Sequence, residues 1–519
     1  MIKVIEPDTD IVTKKAVKAL MTEIHRDDSK DRNKDRNKDR NKDRNYVNMQ
    51  VNPCKMCMPM GGAMALKGVK NAMTIIHGSQ GCSTYIRRHM AAHYNEPIDI
   101  ASSSLSEEGT VYGGSKNLKI GIRNLVNMYQ PEVVGVLTTC LAETIGDDIE
   151  RIVREVRDTG EFEGIDIIPI PTPGYGGSQT EGYFDTIKAL MTYFVKKPVH
   201  VGKVLEEALE PLEPFINIIL SDATCEDVRE IKRMVELFGV KALFIPDISD
   251  ALDAPFTNHY NKLSEAGISR EELKKVIHAK ATIELGDLVA PNHSPALFLE
   301  EEYGVKAYRL PLPIGINNTD CLVKALAEVF NADIPKALEV ERGRLMDGMI
   351  DAHKHSATGD IAVFGDMNLV MGIAGLVLEN GMQLKLAATG SMSKRFKEQL
   401  ESKLDQYQQE AEILQDTDYE TIREVIQQKG VNLMIGPSDG KFIWEKDHVD
   451  FIRVGFPVHD HVGAQRKNLM GYKGSLRFLD EITNHLLDQK HKGYRERMYQ
   501  TYFPKKESHN PIQNYEAAR

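Results

Sequence analysis

Short runs of branched apolar residues alternate with longer amphipathic stretches from Val51 onward, and this alternation restricts the fold more than any other feature of the chain. The runs "AMTIIHG", "VVGVLTTC", "IDIIPIPTP", "PFINIIL", "KALFIPD", "IAVFGD", "LKLAATG" and "VNLMIG" read as buried strands. Between them lie stretches with helical spacing, such as "GGSKNLKIGIRNLVNMY", "DVREIKRMVELFG", "NLVMGIAGLVLENG" and "KRFKEQLESKLDQYQQEAEILQ". Strand followed by helix, repeated, predicts an α/β fold with parallel sheets flanked by helices.

At roughly 150 residues per domain, 519 residues suggest about three such units. The expected layout is an N-terminal tail at 1–50, α/β domains at 51–205, 206–340 and 341–490, and a C-terminal tail at 491–519. The stretch "KKPVHVGKVLEEALEPLEP" reads as the first linker, and "ERGRLMDGMIDAHKHSATGD" as a helix leading into the third unit. Within the N-terminal tail, Val12, Ala16, Leu20 and Ile24 would share one face of a short helix. After it "KDRN" repeats from Lys30 to Asn45 without an apolar residue, the composition of a disordered linker.

A net charge of -11 makes the chain a poor candidate for wrapping nucleic acid. No apolar run reaches the roughly 18 residues of a membrane span, and "MIKVIEPDTD" lacks a signal-peptide core. With 6 cysteines in so long a chain, a disulfide framework is not suggested, and a cytoplasmic location is expected. Neither GxGxxG nor GxxxxGK[ST] occurs, so nicotinamide and P-loop nucleotide sites have no support.

Three cysteines stand in turn-like strings: Cys57 in "NPCKMCMPMGG", Cys82 in "HGSQGC" and Cys140 in "VGVLTTC". Turns at the carboxyl ends of strands converge on one crevice in an α/β unit, and thiols delivered there can hold iron–sulfur clusters or zinc. Gly78 and Gly81 bracket the approach to Cys82, His77 could donate a hydrogen bond towards the sulfur, and Pro59 with Gly61 and Gly62 suggests a tight turn around Cys57. Cys54 completes a CxxC with Cys57 but reads as a bystander; Cys225 and Cys321 have no supporting pattern. Ser178 sits in "PTPGYGGSQTEGY", a loop whose glycines permit close backbone approach, and Tyr112 with Gly113 ends "SSSLSEEGTVYGG", a candidate contact surface. His459, Asp460, His461, Gln465 and Arg466 crowd one stretch and read as polar pocket lining.

Together these strings resemble the β-type chains of the nitrogenase component 1 family. The matching pieces, in order, are "CMPMGG", "HGSQGC", "SSSLSEEGTVYGG", "TTCLAETIGDD", "TPGYGGSQTEGY", "DISDALDAPF", "ERGRLMDGMIDAHKH" and "GFPVHD", covering about residues 50–490. The resemblance implies three Rossmann-like domains and pairing with an α-type chain in a heterotetramer of two chains of each type. It also implies an iron–sulfur cluster at the α/β boundary, with Cys57, Cys82 and Cys140 as ligands and Ser178 as the serine that can bind an oxidised P-cluster. By the same resemblance, Tyr112 and Gly113 lie where the iron protein docks transiently.

Two branches of the family share these features. "HDHVGAQRKNLMGYKG" after "GFPV", together with "VNPCKMC", "CSTYIRRHM" and "EPIDIASSS", is similar to the scaffold chains on which the iron–molybdenum cofactor is matured, and the expectation is a scaffold subunit holding a transient cofactor precursor at the partner interface. Retention of all three cysteines and Ser178 is similar to the catalytic β chain, the alternative. A four-iron cluster and a P-cluster-like eight-iron, seven-sulfur centre both remain open. The rival of another class is a binding module with a structural zinc.

Overall fold

The computed structural model describes residues 53–195, 213–259 and 261–503. The helix expected over 12–24, the KDRN repeats, nearly all of the first linker and residues 504–519 lie outside the described residues.

Thirteen strands form three sheets among the described residues, and every strand pair is parallel. The first sheet has the order β2-β1-β3-β4, with β1 Ala72–His77, β2 Ala101–Ser102, β3 Val133–Thr138 and β4 Asp166–Ile170. The second runs β6-β5-β7-β8, with β5 Phe215–Leu220, β6 Lys241–Phe244, β7 Thr282–Leu285 and β8 Ala307–Leu310. The third runs β11-β10-β9-β12-β13, with β9 Asp360–Gly365, β10 Gln383–Thr389, β11 Glu412–Leu414, β12 Leu433–Gly436 and β13 Asp450–Arg453. All eight predicted strands are present, and β1, β3 and β5 are buried along their whole length, as helices on both faces of a parallel sheet require.

In each sheet the strand order reverses beside the first long strand, and ligands of open parallel sheets bind outside the carboxyl ends at such a reversal. In the first sheet that point lies between β1 and β3, which lead to Cys82 and Cys140. In the second, Asp222 follows β5; in the third, Asp366 follows β9.

The helices of the first unit are α1 Met58–Lys67, α2 Gln80–Tyr94, α3 Glu107–Tyr112, α4 Ser115–Tyr129, α5 Cys140–Thr144, α6 Ile149–Asp158 and α7 Gln179–Phe194. The tight turn expected around Cys57 is instead the start of α1, where Pro59 occupies the first turn, a position that needs no N–H donor. Gly61 lies inside this helix because α1 and α7 touch backbone to backbone, and Gly62 because the side chains of Leu137 and Thr186 press against it. A Cβ on Gly61 would fall 1.8 Å from the carbonyl oxygen of Gln179, and one on Gly182 would fall 2.1 Å from that of Met58. Helix Lys336–Ser356 precedes β9, in the place where "ERGRLMDGMIDAHKHSATGD" was read as helical. It packs along Gly471–Tyr502, a single helix that runs through residue 491, where a tail was expected, to Tyr502. Among the described residues no helix is long and apolar enough to cross a membrane.

Candidate metal centre

Cys57, Cys82 and Cys140 each stand at the start of a helix. Cys57 is the N-cap of α1, Cys82 the third residue of α2 and Cys140 the first residue of α5. Each therefore stands beside the free backbone N–H groups of a helix first turn. The three sulfurs share one neighbourhood: a Cβ on Gly174 would lie 2.9 Å from Cys140 Sγ and 3.4 Å from Cys57 Cβ. Burial pushes the Cys57 thiol up; the Met60 N–H opposes this, and the thiols of Cys82 and Cys140 reinforce it. Cys57 and Cys82 are half-buried and Cys140 is exposed. Among the described residues no three His, Cys, Asp or Glu side chains are grouped as ligands of a single metal ion.

Ser178 is the N-cap of α7 and pairs with Cys57 as an isolated antiparallel bridge. Beside it Gln179 N–H donates to Met56 O at 2.9 Å. Ser178 is buried and closes a capping box: its N–H donates to Glu181 Oε2 at 2.8 Å, its hydroxyl donates to the same oxygen, and Oγ accepts from Thr180 N–H. Cys54 anchors the segment leading to Cys57 onto the third sheet: its N–H donates to Thr417 O and its carbonyl accepts from Gly390 N–H, both at 2.9 Å.

His77 does not point to a sulfur. One ring nitrogen bonds Ser103 Oγ at 2.9 Å and the other Asp147 Oδ2 at 3.0 Å. Burial pulls its pKa down against the nearby Asp147 carboxylate, so the ring is neutral. Asp147 also accepts from the Gly114 N–H at 2.9 Å, which fastens the loop carrying Tyr112 and Gly113 to the turn after α5. Tyr112 is 84% exposed beside Val111 at 74%, and Gly113 takes φ of 90° to turn the chain there. The tie through Asp147 was not found in the sequence reading, although the string "TIGDD" carries it.

Gly78 is required by contact, because a Cβ there would fall 2.2 Å from Thr139 Oγ1, whereas Gly81 meets nothing nearer than 3.6 Å. Thr139 Oγ1 donates to His77 O, and Thr172 donates its N–H to Thr138 Oγ1 and its hydroxyl to Thr138 O, so the ends of β1, β3 and β4 are tied together. The remaining cysteines lie apart from the three. Cys54 is buried, its thiol pushed up to about 12 by desolvation; Cys225 is buried and donates to Ile248 O; Cys321 is exposed. Asp460 is held by Arg453 and Ser438, Arg466 lies beside Asp253, and Gln465 is buried, so this stretch is structural lining among the described residues.

Residues 57–487 match the family profile described as Nitrogenase component 1 type Oxidoreductase. The chain belongs to the nitrogenase component 1 family. It is similar to the nitrogenase molybdenum-iron protein beta chain of Clostridium pasteurianum, with 32% identity over 85% of this chain and 94% of that one. It is also similar to the protein of the same description from Methanococcus maripaludis, with 34% identity over 85% and 95%. A solved structure described as Nitrogenase Cp1 at pH 6.5 superposes with a TM-score of 0.80 at 32% identity, covering 86% of this chain and 95% of that one. Within the nitrogenase component 1 family it is therefore a β-type chain.

The donor set suits a soft, multinuclear group. Thiolates prefer iron–sulfur centres, and in a cluster each thiolate can take a different metal atom, which accommodates sulfurs that cannot close on one ion. Residue 174 has no Cβ, which lets its backbone pass close beside Cys140 and Cys57. These observations fit a cluster better than a single structural zinc, which takes four ligands in a tetrahedron.

Proposed function

We propose that this chain is the β-type subunit of a catalytic nitrogenase complex for dinitrogen reduction. It would contribute Cys57, Cys82 and Cys140 to an iron–sulfur cluster at the face it shares with an α-type subunit, in a heterotetramer of two chains of each type. The observation that carries the reading is the gathering of three cysteines, each at a helix N-terminus, into one neighbourhood beside Ser178. Relatives named as molybdenum-iron protein beta chains, at 32% and 34% identity across nearly their full length, support the catalytic branch over the scaffold branch.

When bound, such a cluster stores and passes electrons. The chain's own residues prepare the place for it. Ser178 presents a hydroxyl next to Cys57, and its retention with all three cysteines favours a P-cluster-like eight-iron centre over a four-iron one. A partner chain is needed to cover the exposed side of Cys140 and exclude water. Val111 and Tyr112 offer an apolar surface for transient docking of the iron protein, and Asp147 holds that surface in register with the turn after α5.

One observation favours a second reading, a scaffold subunit on which an iron–molybdenum cofactor precursor matures. The segment after Val458 reads "HDHVGAQRKNLMGYKG", as scaffold chains do. The deciding experiment is to purify the complex and supply iron protein, ATP and dinitrogen. Catalytic assignment predicts ammonia; a complex that makes none, but matures and hands on cofactor when given molybdate and homocitrate, is a scaffold. Colourless protein with one zinc per chain overturns both.

A further inference from the structure

The carboxylates at the strand-order reversals of the second and third sheets meet at a part-buried junction. Asp222 follows β5 and Asp366 follows β9, and the hydroxyl of one residue, Thr180, reaches both. Thr180, in the first turn of α7, donates its hydroxyl to Asp366 Oδ2 and lies 3.5 Å from Asp222 Oδ1. Asn368 Nδ2 donates to Asp222 Oδ2 at 3.3 Å and to Ser221 Oγ at 3.2 Å. Asp222 borders a cavity of about 20 Å³ and Asp366 one of about 10 Å³; Gln179, whose buried Oε1 has no partner, borders both. Among the described residues no ion pair reaches either acid. Lys55 is the one cation around the smaller cavity, and its Nζ goes to Asp416. The other titratable groups facing the pair are Glu181 and Tyr183 on α7, Tyr94 on α2, and Cys54, Tyr419 and Asp439 around the smaller cavity; none brings a positive charge.

Two bare carboxylates drawn around one hydroxyl, with no cation among the described residues to balance them, would repel, and a proton held between them removes that repulsion. We propose that Asp222 and Asp366 share one proton, and that this pair is a pH-sensitive lock fastening the first turn of α7 to the second and third sheets. Ser178 begins that turn, but the lock stands whether or not Ser178 meets a cluster.

Burial raises both acids above the usual carboxylate range. The folded protein therefore keeps a proton that the unfolded chain releases above about pH 4. The stability this gives is complete at acid pH and is lost as pH rises through the folded value.

Infrared spectra of the purified complex, native against Asp222→Asn and Asp366→Asn, test the proton directly. Each variant is expected to lack one protonated-carboxyl band present in the native protein at neutral pH. Hydrogen exchange over residues 178–182, corrected for intrinsic rate, is expected to rise in the native protein as that band disappears with pH, and to stay level across the same range in an Asn variant that folds. These signals need no activity and are read apart from cluster content. If neither variant folds, the native titration decides alone, with joint loss of band and protection supporting the lock. Absence of a protonated carboxyl at neutral pH overturns it. So does a stoichiometric alkali or alkaline-earth ion on elemental analysis, which would take Gln179 Oε1 as a further oxygen.

Discussion

Cys82 and Cys225 have the same side chain and opposite settings. Cys82 is half-buried in the first turn of α2, whereas Cys225 is fully buried and donates to Ile248 O. Cys82→Ala is expected to remove most cluster iron, because a methyl cannot complete a metal's coordination, while Cys225→Ala leaves iron unchanged; iron and sulfide analysis of the purified complex reads both. The buried pair Arg309–Glu284 gives a second contrast. Its Nε–Oε1 distance is 2.7 Å, with the two side chains 8% and 0% exposed. Arg309→Met removes the ion-pair partner of the buried Glu284 carboxyl and is expected to cost about 3–5 kcal/mol in denaturant unfolding. The same two residues explain why β7 and β8 were not legible in the sequence. A charged residue in each breaks the apolar run, and only the fold reveals that the charges face each other. The cysteines were legible because their glycine- and threonine-rich strings mark strand-to-helix turns; the role of His77 was not, because its partners Ser103 and Asp147 are distant in sequence.

The contact between α1 and α7 fixes Cys57 relative to Ser178, since each helix begins with one of them. Gly61 and Gly182 allow the backbones to touch, and the bridge Cys57–Ser178 continues the contact beyond the helix ends. Gly182→Ala puts a methyl into the Met58 carbonyl and is expected to destabilise by about 1–3 kcal/mol as α1 is pushed away. Calorimetry together with iron analysis checks it: a lower Tm with depleted iron is the expected pair of results, and unchanged values for both would show that the helices can separate without consequence. The sequence displayed these glycines but not their use. "PMGG" reads as a turn until the second helix is in place, because the requirement for glycine comes from a chain more than a hundred residues away.

The three sheets are alike in topology, and what differs is the chemistry at each reversal of strand order: thiols in the first, a carboxyl in each of the others. The alternation of apolar runs sufficed to predict this architecture, since buried parallel strands announce themselves locally. The meeting of the units did not show, because it depends on single polar residues such as Thr180, Asp222 and Asp366. With Cys140 exposed, a cluster completed by a second chain links metal content to association. Expressed without an α-type partner, the chain is expected to be poor in iron; soluble monomer with a full complement would refute the shared site. The anchoring of Cys54 to Thr417 and Gly390 also sets an order of events during synthesis. When Cys57 leaves the ribosome, Cys82 and Cys140 follow soon after, but the residues that hold the Cys57 segment in place have yet to be translated. On the proposed reading, this chain's share of the donor set reaches its final arrangement only when most of the polypeptide has emerged, and metal loading is expected to wait for translation to finish.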